Sequence, residues 1–252
     1  MALLEIKGIN KVYGGQGPGG VTALHAVDLR IEAGEYVAVM GPSGSGKTTL
    51  LSILGAMSTP SAGSLLIDGI DVYGLSQERQ ADLRREYLGF VFQGLELVPY
   101  LTALENVMLP LAILKEKGKP ERALESLERV GIDERKARRV PAELSGGEQG
   151  RVAIARAIVN DPPIIMADEP VGSLDSATGR QILDLLRELA DEGRAVVMVT
   201  HNPESTEDVD RIIRIRDGRV EQDSRQDARQ DARQDARLLP VEVQPMASLH
   251  TR

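Results

Sequence analysis

Gly41-Pro42-Ser43-Gly44-Ser45-Gly46-Lys47-Thr48 follows the apolar run Tyr36-Val37-Ala38-Val39-Met40 and precedes Thr49-Leu50-Leu51-Ser52-Ile53-Leu54. It fits G-x-x-x-x-G-K-[ST] in the strand, loop and helix setting that its chemistry requires. Glycines let the backbone wrap a phosphate without Cβ clashes, and successive N–H groups at a helix N-terminus then point at the anion. Lys47 neutralises β/γ oxygens, and the Thr48 hydroxyl is suited to ligate Mg²⁺. The plain alternative is a flexible glycine turn. The flanking strand and helix favour a nucleotide loop, with Gly41, Pro42, Ser43, Gly44, Ser45, Gly46, Lys47, Thr48 and Thr49 as its binding residues.

Further along, Ile164-Ile165-Met166-Ala167 ends in Asp168-Glu169. A strand meeting a helix cap would look the same, but beside a phosphate loop the acid pair gains a role. Asp168 can hold Mg²⁺ through its water shell, and Glu169 can orient and deprotonate an attacking water. This run and Ala195-Val196-Val197-Met198-Val199 are apolar without alternation, as expected of strands covered on both faces. Short β-like runs alternate with helical ones, which predicts a three-layer α/β fold, and the loop at 41–48 makes it a P-loop NTPase core. Residues 3–6, 23–31, 35–40 and 65–67 read as strands of an antiparallel portion, and 89–92, 163–167, 195–200 and 211–215 as later strands. Thr102-x-x-Glu105 and Ser145-x-x-Glu148 are capping boxes, expected to open helices towards Lys117 and Val159. They lie in a mostly helical insert, about 94–160. Asp217-Gly218 is a hairpin signal expected to close the ordered domain, residues 1–221.

The 252 residues are 42% hydrophobic and 27% charged, enough for one α/β domain with a real core. Zero cysteines exclude disulfides, thiolate metal sites and cysteine nucleophiles. No basic, apolar and small-residue leader opens the chain, and the longest largely apolar stretch, 107–114, contains a proline and is far too short for a bilayer helix. The expectation is a cytoplasmic protein that meets a membrane only through a partner. A net charge of −8 and 3% aromatics give no basis for binding nucleic acid. From Gln222 the composition shifts to Arg-Gln-Asp-Ala repeats, Arg225 through Ala236, so residues 222–252 read as a solvated low-complexity tail.

Leu144-Ser145-Gly146-Gly147-Glu148 matches the LSGG signature of the ATP-binding cassette (ABC) ATPases, and the chain resembles that family over nearly all of 3–220. The motifs stand in the family's order: Tyr13, the phosphate loop, Gln93 after an apolar strand, the signature, Asp168-Glu169, Ser173-Leu174-Asp175, and His201 after another strand. The resemblance implies an ABC-type fold with antiparallel β and helical subdomains, and hydrolysis of ATP with Mg²⁺. It makes Tyr13 an adenine-stacking aromatic rather than an ordinary strand residue. Gln93 becomes a contact for Mg²⁺ and water, and His201 a switch histidine that touches the γ-phosphate and holds Glu169. Asp175 reads as a helix cap, and in the family its segment communicates across a dimer. Ser145 opens a helix whose N–H groups form an anion site, with Gly146 and Gly147 permitting close approach. One nucleotide does not need two phosphate sites in one chain. The resemblance resolves this by packing two copies head to tail, each signature closing over the γ-phosphate on the other's loop.

The stretch 89–107 is similar to the branch of lipoprotein-releasing (LolD-like), macrolide-exporting (MacB-like) and cell-division (FtsE-like) cassettes. That implies an integral-membrane permease of FtsX/MacB-like type as partner, at the inner face of the cell membrane. The alternative is a cell-division-like mechanotransducer that moves no substrate. Leu95, Leu97 and Val98 suit either a groove for a partner's helix or core packing. One residue departs from the branch: Gly150 stands where a second glutamine is usual. Glycine in a first helical turn costs up to about 1 kcal/mol, so a looser signature helix is expected.

Overall fold

The computed structural model describes residues 2–15, 19–113 and 117–226. An antiparallel sheet of order β2-β1-β4-β5 is built from β1 (Leu4–Tyr13), β2 (Val21–Ile31), β4 (Ala62–Ile67) and β5 (Ile70–Asp71). A six-stranded sheet of order β10-β9-β3-β8-β7-β6 comprises β3 (Tyr36–Met40), β6 (Leu88–Val91), β7 (Ile164–Asp168), β8 (Ala195–Thr200), β9 (Arg211–Arg216) and β10 (Arg219–Arg225). Its strands run parallel except β10, which pairs antiparallel to β9. The helices are α1 (Lys47–Leu54), α2 (Gln77–Tyr87), α3 (Ala103–Met108), α4 (Lys119–Arg129), α5 (Glu134–Ala137), α6 (Gly146–Ile158) and α7 (Ser176–Asp191).

The strand at 35–40 does not belong to the antiparallel portion, as the sequence suggested, but to the middle of the parallel sheet. All five residues of β3 are buried, and only a central strand with cover on both sides satisfies that pattern. Alternation does the sorting. Tyr36 and Ala38 enter the core beneath α6 and α7, whereas Val37 and Val39 enter the core shared with α1 and the antiparallel sheet. β8 divides likewise, Val196 and Met198 to one side and Ala195, Val197 and Val199 to the other.

Both capping boxes form. Thr102 Oγ1 accepts from Glu105 N at 3.2 Å while Thr102 N donates to Glu105 Oε2 at 2.8 Å. That helix stops at Met108, well short of Lys117, and gives way to a 3₁₀ turn at Leu109–Leu111. Pro110 has no N–H for the α-helical ladder. Gly150 also corrects an expectation, because α6 runs unbroken through it. A Cβ there would lie 3.0 Å from Ile182 Cδ1 and 3.6 Å from Leu174 Cδ1, so the missing side chain lets α7 pack close.

The boundary at 221 falls too early. Gln222 to Arg225 continue β10 opposite Arg214 to Arg211, and Gln226 N donates to Asp210 O at 2.9 Å. Tail residues 227–252 lie outside the described residues. Truncation after Gln226 is expected to leave the ATPase rate within about twofold, a difference below ~0.5 kcal/mol, as measured by phosphate release. A tenfold loss would contradict this.

Candidate active site

Parallel pairing brings the C-terminal ends of four strands to one edge, where open α/β sheets place their ligands. Met40 pairs with Thr200, Asp168 with Val199, and Val91 with Ala167. The loop 41–48, His201, Glu169 and Gln93 all leave the sheet there. Loop residues Gly44 and Gly46 have φ of 77° and 101°, values natural to glycine. At Gly46 a Cβ would also lie 2.5 Å from Ala23 O, so the loop is pressed against β2. Ser45 N closes a turn onto Pro42 O, and the first α-helical bond, Leu50 N to Gly46 O, comes only after Lys47, Thr48 and Thr49. The N–H groups of those residues open α1 and have no intrahelical acceptor. Lys47 is buried, and its Nζ donates to Gly41 O and Pro42 O, both at 2.9 Å, which holds the ammonium across the loop.

Thr48 faces Asp168 and favours its ionised form. Burial raises the Asp168 pKa, and the charge of Glu169 raises it further, while Lys47 and Thr48 oppose the shift. A hydroxyl, a half-buried carboxylate and a lysine at a helix N-terminus form a donor set that fits a magnesium-bound triphosphate. Glu169 adopts φ 46°, a left-handed conformation that costs on the order of 1–3 kcal/mol for a non-glycine residue. Its N–H is held by Val199 O at 2.9 Å, so the chain turns sharply at the end of β7. One carboxylate oxygen lies 2.7 Å from His201 Nδ1, and the other accepts from Thr200 Oγ1 at 3.5 Å. An ionised carboxylate only accepts, so Nδ1 carries the proton in that pair.

Tyr13, at the end of β1, leans over the same helix. Its hydroxyl is 3.5 Å from Thr49 Oγ1, and Lys11 Nζ sits 4.9 Å from the ring centroid. Tyr13 is 46% exposed, which leaves ring surface available for stacking. Gln93 is exposed in the turn after β6, on the Asp168 side of the sheet edge. Beyond it, Leu95 is buried in the core and Leu97 packs against it, which favours core packing over an open groove at these two positions.

The residues 145–147 are fixed at the start of α6 by the cap of that helix. Ser145 caps α6, accepting from Glu148 N at 3.3 Å, and Glu148 accepts in return from Ser145 N at 2.8 Å. That backbone bond, followed by Lys136 at 3.1 Å, brings the Glu148 pKa down to about 2. Cβ atoms at Gly146 and Gly147 would meet Leu174 at 3.2 Å and Thr178 at 2.4 Å, so this segment packs on the start of α7. Asp175 caps α7 by accepting from Thr178 N at 3.0 Å. The fold therefore gathers Tyr13, residues 41–49, Gln93, Asp168, Glu169 and His201 around one edge, and sets the start of α6 at Ser145 against the start of α7.

Two supporting residues have no motif to announce them. Thr200 reaches Glu169, and Arg156 on α6 donates to Leu95 O at 2.7 Å and Glu96 O at 2.6 Å. Both acceptor residues have positive φ, 65° and 46°, so Arg156 ties a strained loop after Gln93 to the signature helix. Arg156 lies 63 residues from Gln93 in the chain, and only the folded contact reveals the link.

Sheet order and loop together define a P-loop nucleoside-triphosphatase fold. The ABC transporter family model matches residues 24–172. The pyoverdine export ATP-binding/permease protein PvdT of Pseudomonas aeruginosa is 48% identical over 224 residues, 88% of this chain and 34% of its own length. An ABC transporter ATP-binding protein of Methanocaldococcus jannaschii, MJ0796, is 46% identical over 230 residues, 88% of this chain and 97% of its own. A dimeric structure of MJ0796 in a post-hydrolysis state, bound to ADP and Pi, superposes with a TM-score of 0.79 at 44% identity, covering 88% of this chain and 98% of that one. The chain thus spans about a third of the length of PvdT and nearly all of MJ0796. It belongs to the ABC transporter family, as an ATP-binding, ATP-hydrolysing cassette. Among the described residues no helix is long and apolar enough to cross a membrane.

Proposed function

We propose that two copies of this chain pack head to tail, hydrolyse ATP at sites each shared between them, and drive a separate membrane permease of FtsX/MacB-like type. The observation that carries the reading is the division of donors within one chain. Lys47, Thr48, Asp168, Glu169 and His201 converge at the sheet edge, while Ser145 caps α6 and its glycines pack on Leu174 and Thr178, with none of those sheet-edge residues among the partners that fix them. A two-fold axis joins the two halves. The dimeric MJ0796 structure supports the pairing, and the permease carried within PvdT supports the membrane partner. The cassette then works at the inner face of the cell membrane.

Within each site, Tyr13 stacks on adenine and the 41–49 loop wraps the phosphates. Thr48, Asp168 and Gln93 would hold Mg²⁺, which when bound would supply charge neutralisation to the phosphates. Glu169 accepts a proton from water as the water oxygen bonds to the γ-phosphorus, and the bond to the ADP oxygen breaks. His201 fixes the Glu169 carboxylate through Nδ1 and faces the γ-phosphate. Ser145, Gly146 and Gly147 of the second copy cover that phosphate, so only the closed pair has the full donor set.

Co-purification with a candidate permease, followed by ATPase and substrate-flux assays on the complex, tests this reading. Stimulated hydrolysis with flux is expected. Hydrolysis without flux for any permease that binds would indicate a mechanotransducing role instead.

A further inference from the structure

The low-complexity repeat does not begin outside the fold. Divided as Asp-x-Arg-Gln, its first unit is Asp223-Ser224-Arg225-Gln226, followed by Asp227-Ala228-Arg229-Gln230, Asp231-Ala232-Arg233-Gln234 and the partial unit Asp235-Ala236-Arg237. The first unit ends β10 and is held residue by residue. Asp223 takes a bidentate pair from Arg211, Nε to Oδ1 at 2.6 Å and Nη2 to Oδ2 at 2.5 Å. Arg225 Nη2 lies 3.7 Å from Glu35 Oε1. Gln226 donates its N–H to Asp210 O at 2.9 Å and its amide Nε2 to Thr206 O at 3.2 Å.

Arg211 and Glu35 are both buried, and they pair with each other at 3.3 Å. Arg211 also donates to Arg30 O at 2.7 Å, at the end of β2, so the slot sits at the seam between the two sheets. Bidentate arginine pairing is the most geometrically selective of the charged contacts. Ser224 makes only a 3.4 Å bond from its hydroxyl to Ile212 O, and it is the one position at which later full units differ, carrying alanine. Asp223 and Gln226, whose side chains make the slot's closest contacts, are both kept constant in the full units, and so is Arg225, whose 3.7 Å ion pair is longer.

A period of four is even, so a shift of one whole unit leaves every side chain on its original face of the strand. A shift of two also keeps the face but exchanges acid for base. We propose that Arg211, Glu35 and the carbonyls of Asp210 and Thr206 form a recognition slot for an extended Asp-x-Arg-Gln peptide, and that the later units of the same chain are interchangeable occupants of it. The last strand then tolerates loss of a whole unit and not of half of one.

Thermal unfolding of the full chain with short internal deletions tests this. Deleting 223–226 brings Asp227, Arg229 and Gln230 into the slot, and Tm is expected to stay within about 1 °C of the parent. Deleting 223–224 sets Arg225 against Arg211 and Asp227 against Glu35, and re-entry of the next unit would need a two-residue bulge. That variant is expected to melt at least about 3 °C lower. Deleting 231–232 removes the same number of residues beyond the slot and is expected to leave Tm unchanged. Equal losses for the 223–226 and 223–224 deletions would overturn the proposal. So would a 223–224 deletion as stable as the parent, or a 231–232 deletion as harmful as the 223–224 one.

Discussion

Glu169→Gln is expected to slow ATP turnover by at least about 100-fold, the low end of what a positioned general base contributes, while ATP binding persists. The substitution keeps the shape of the side chain, and its amide still accepts from His201 Nδ1 at the site of the 2.7 Å pair. It cannot take a proton from water. The left-handed turn at residue 169 is held by the bond from its N–H to Val199 O, which glutamine retains. Asp168 should gain, because the Glu169 charge is one of the causes raising its pKa. Removing that charge lowers the Asp168 pKa and favours the ionised form that would hold a metal. The variant should therefore bind ATP and remain paired, eluting as a long-lived dimer with ATP on size-exclusion chromatography. Turnover within about threefold of the parent would remove Glu169 from the role of base.

The phosphate loop and the acid pair were legible before the fold because their chemistry is local, whereas Tyr13, Gln93 and His201 had roles only through the family resemblance. A glycine loop ahead of a helix, an acid pair closing an apolar strand and two reciprocal capping boxes each carry their own reason within a few residues. Features that depend on distant partners could not be read this way. The burial of β3 says that both its faces are covered, but its neighbours β8 and β9 lie far along the chain. Gly150 looks like a weakness until Ile182 of α7 is seen filling the space. Leu95 fits a groove and a core equally well as an apolar residue, and burial decides for the core. Asp223 belongs to a tail by composition and to a strand by virtue of Arg211.

Ser145→Arg is expected to abolish hydrolysis while each chain still binds ATP. Ser145 lies at the N-terminus of α6, where the N–H groups and the backbone at Gly146 and Gly147 form the proposed anion site. A long cationic side chain there would fill the space meant for the partner's γ-phosphate. Loss of the cap itself costs about 1 kcal/mol, which lowers Tm by roughly 2–4 °C in a chain of this size and leaves it folded. Lys47→Ala fails for another reason, since it removes the ammonium from the loop.

The steady-state ATPase rate of the two variants, alone and mixed in equal amounts, tests the shared site most directly. In a mixed pair both lesions fall in one site, and the other site joins an intact Lys47 to an intact Ser145. Half of randomly formed pairs are mixed and each keeps one of two sites, so the mixture should recover about a quarter of the parent rate where each variant alone has almost none. Hydrolysis by Ser145→Arg alone at the parent rate would contradict the shared site.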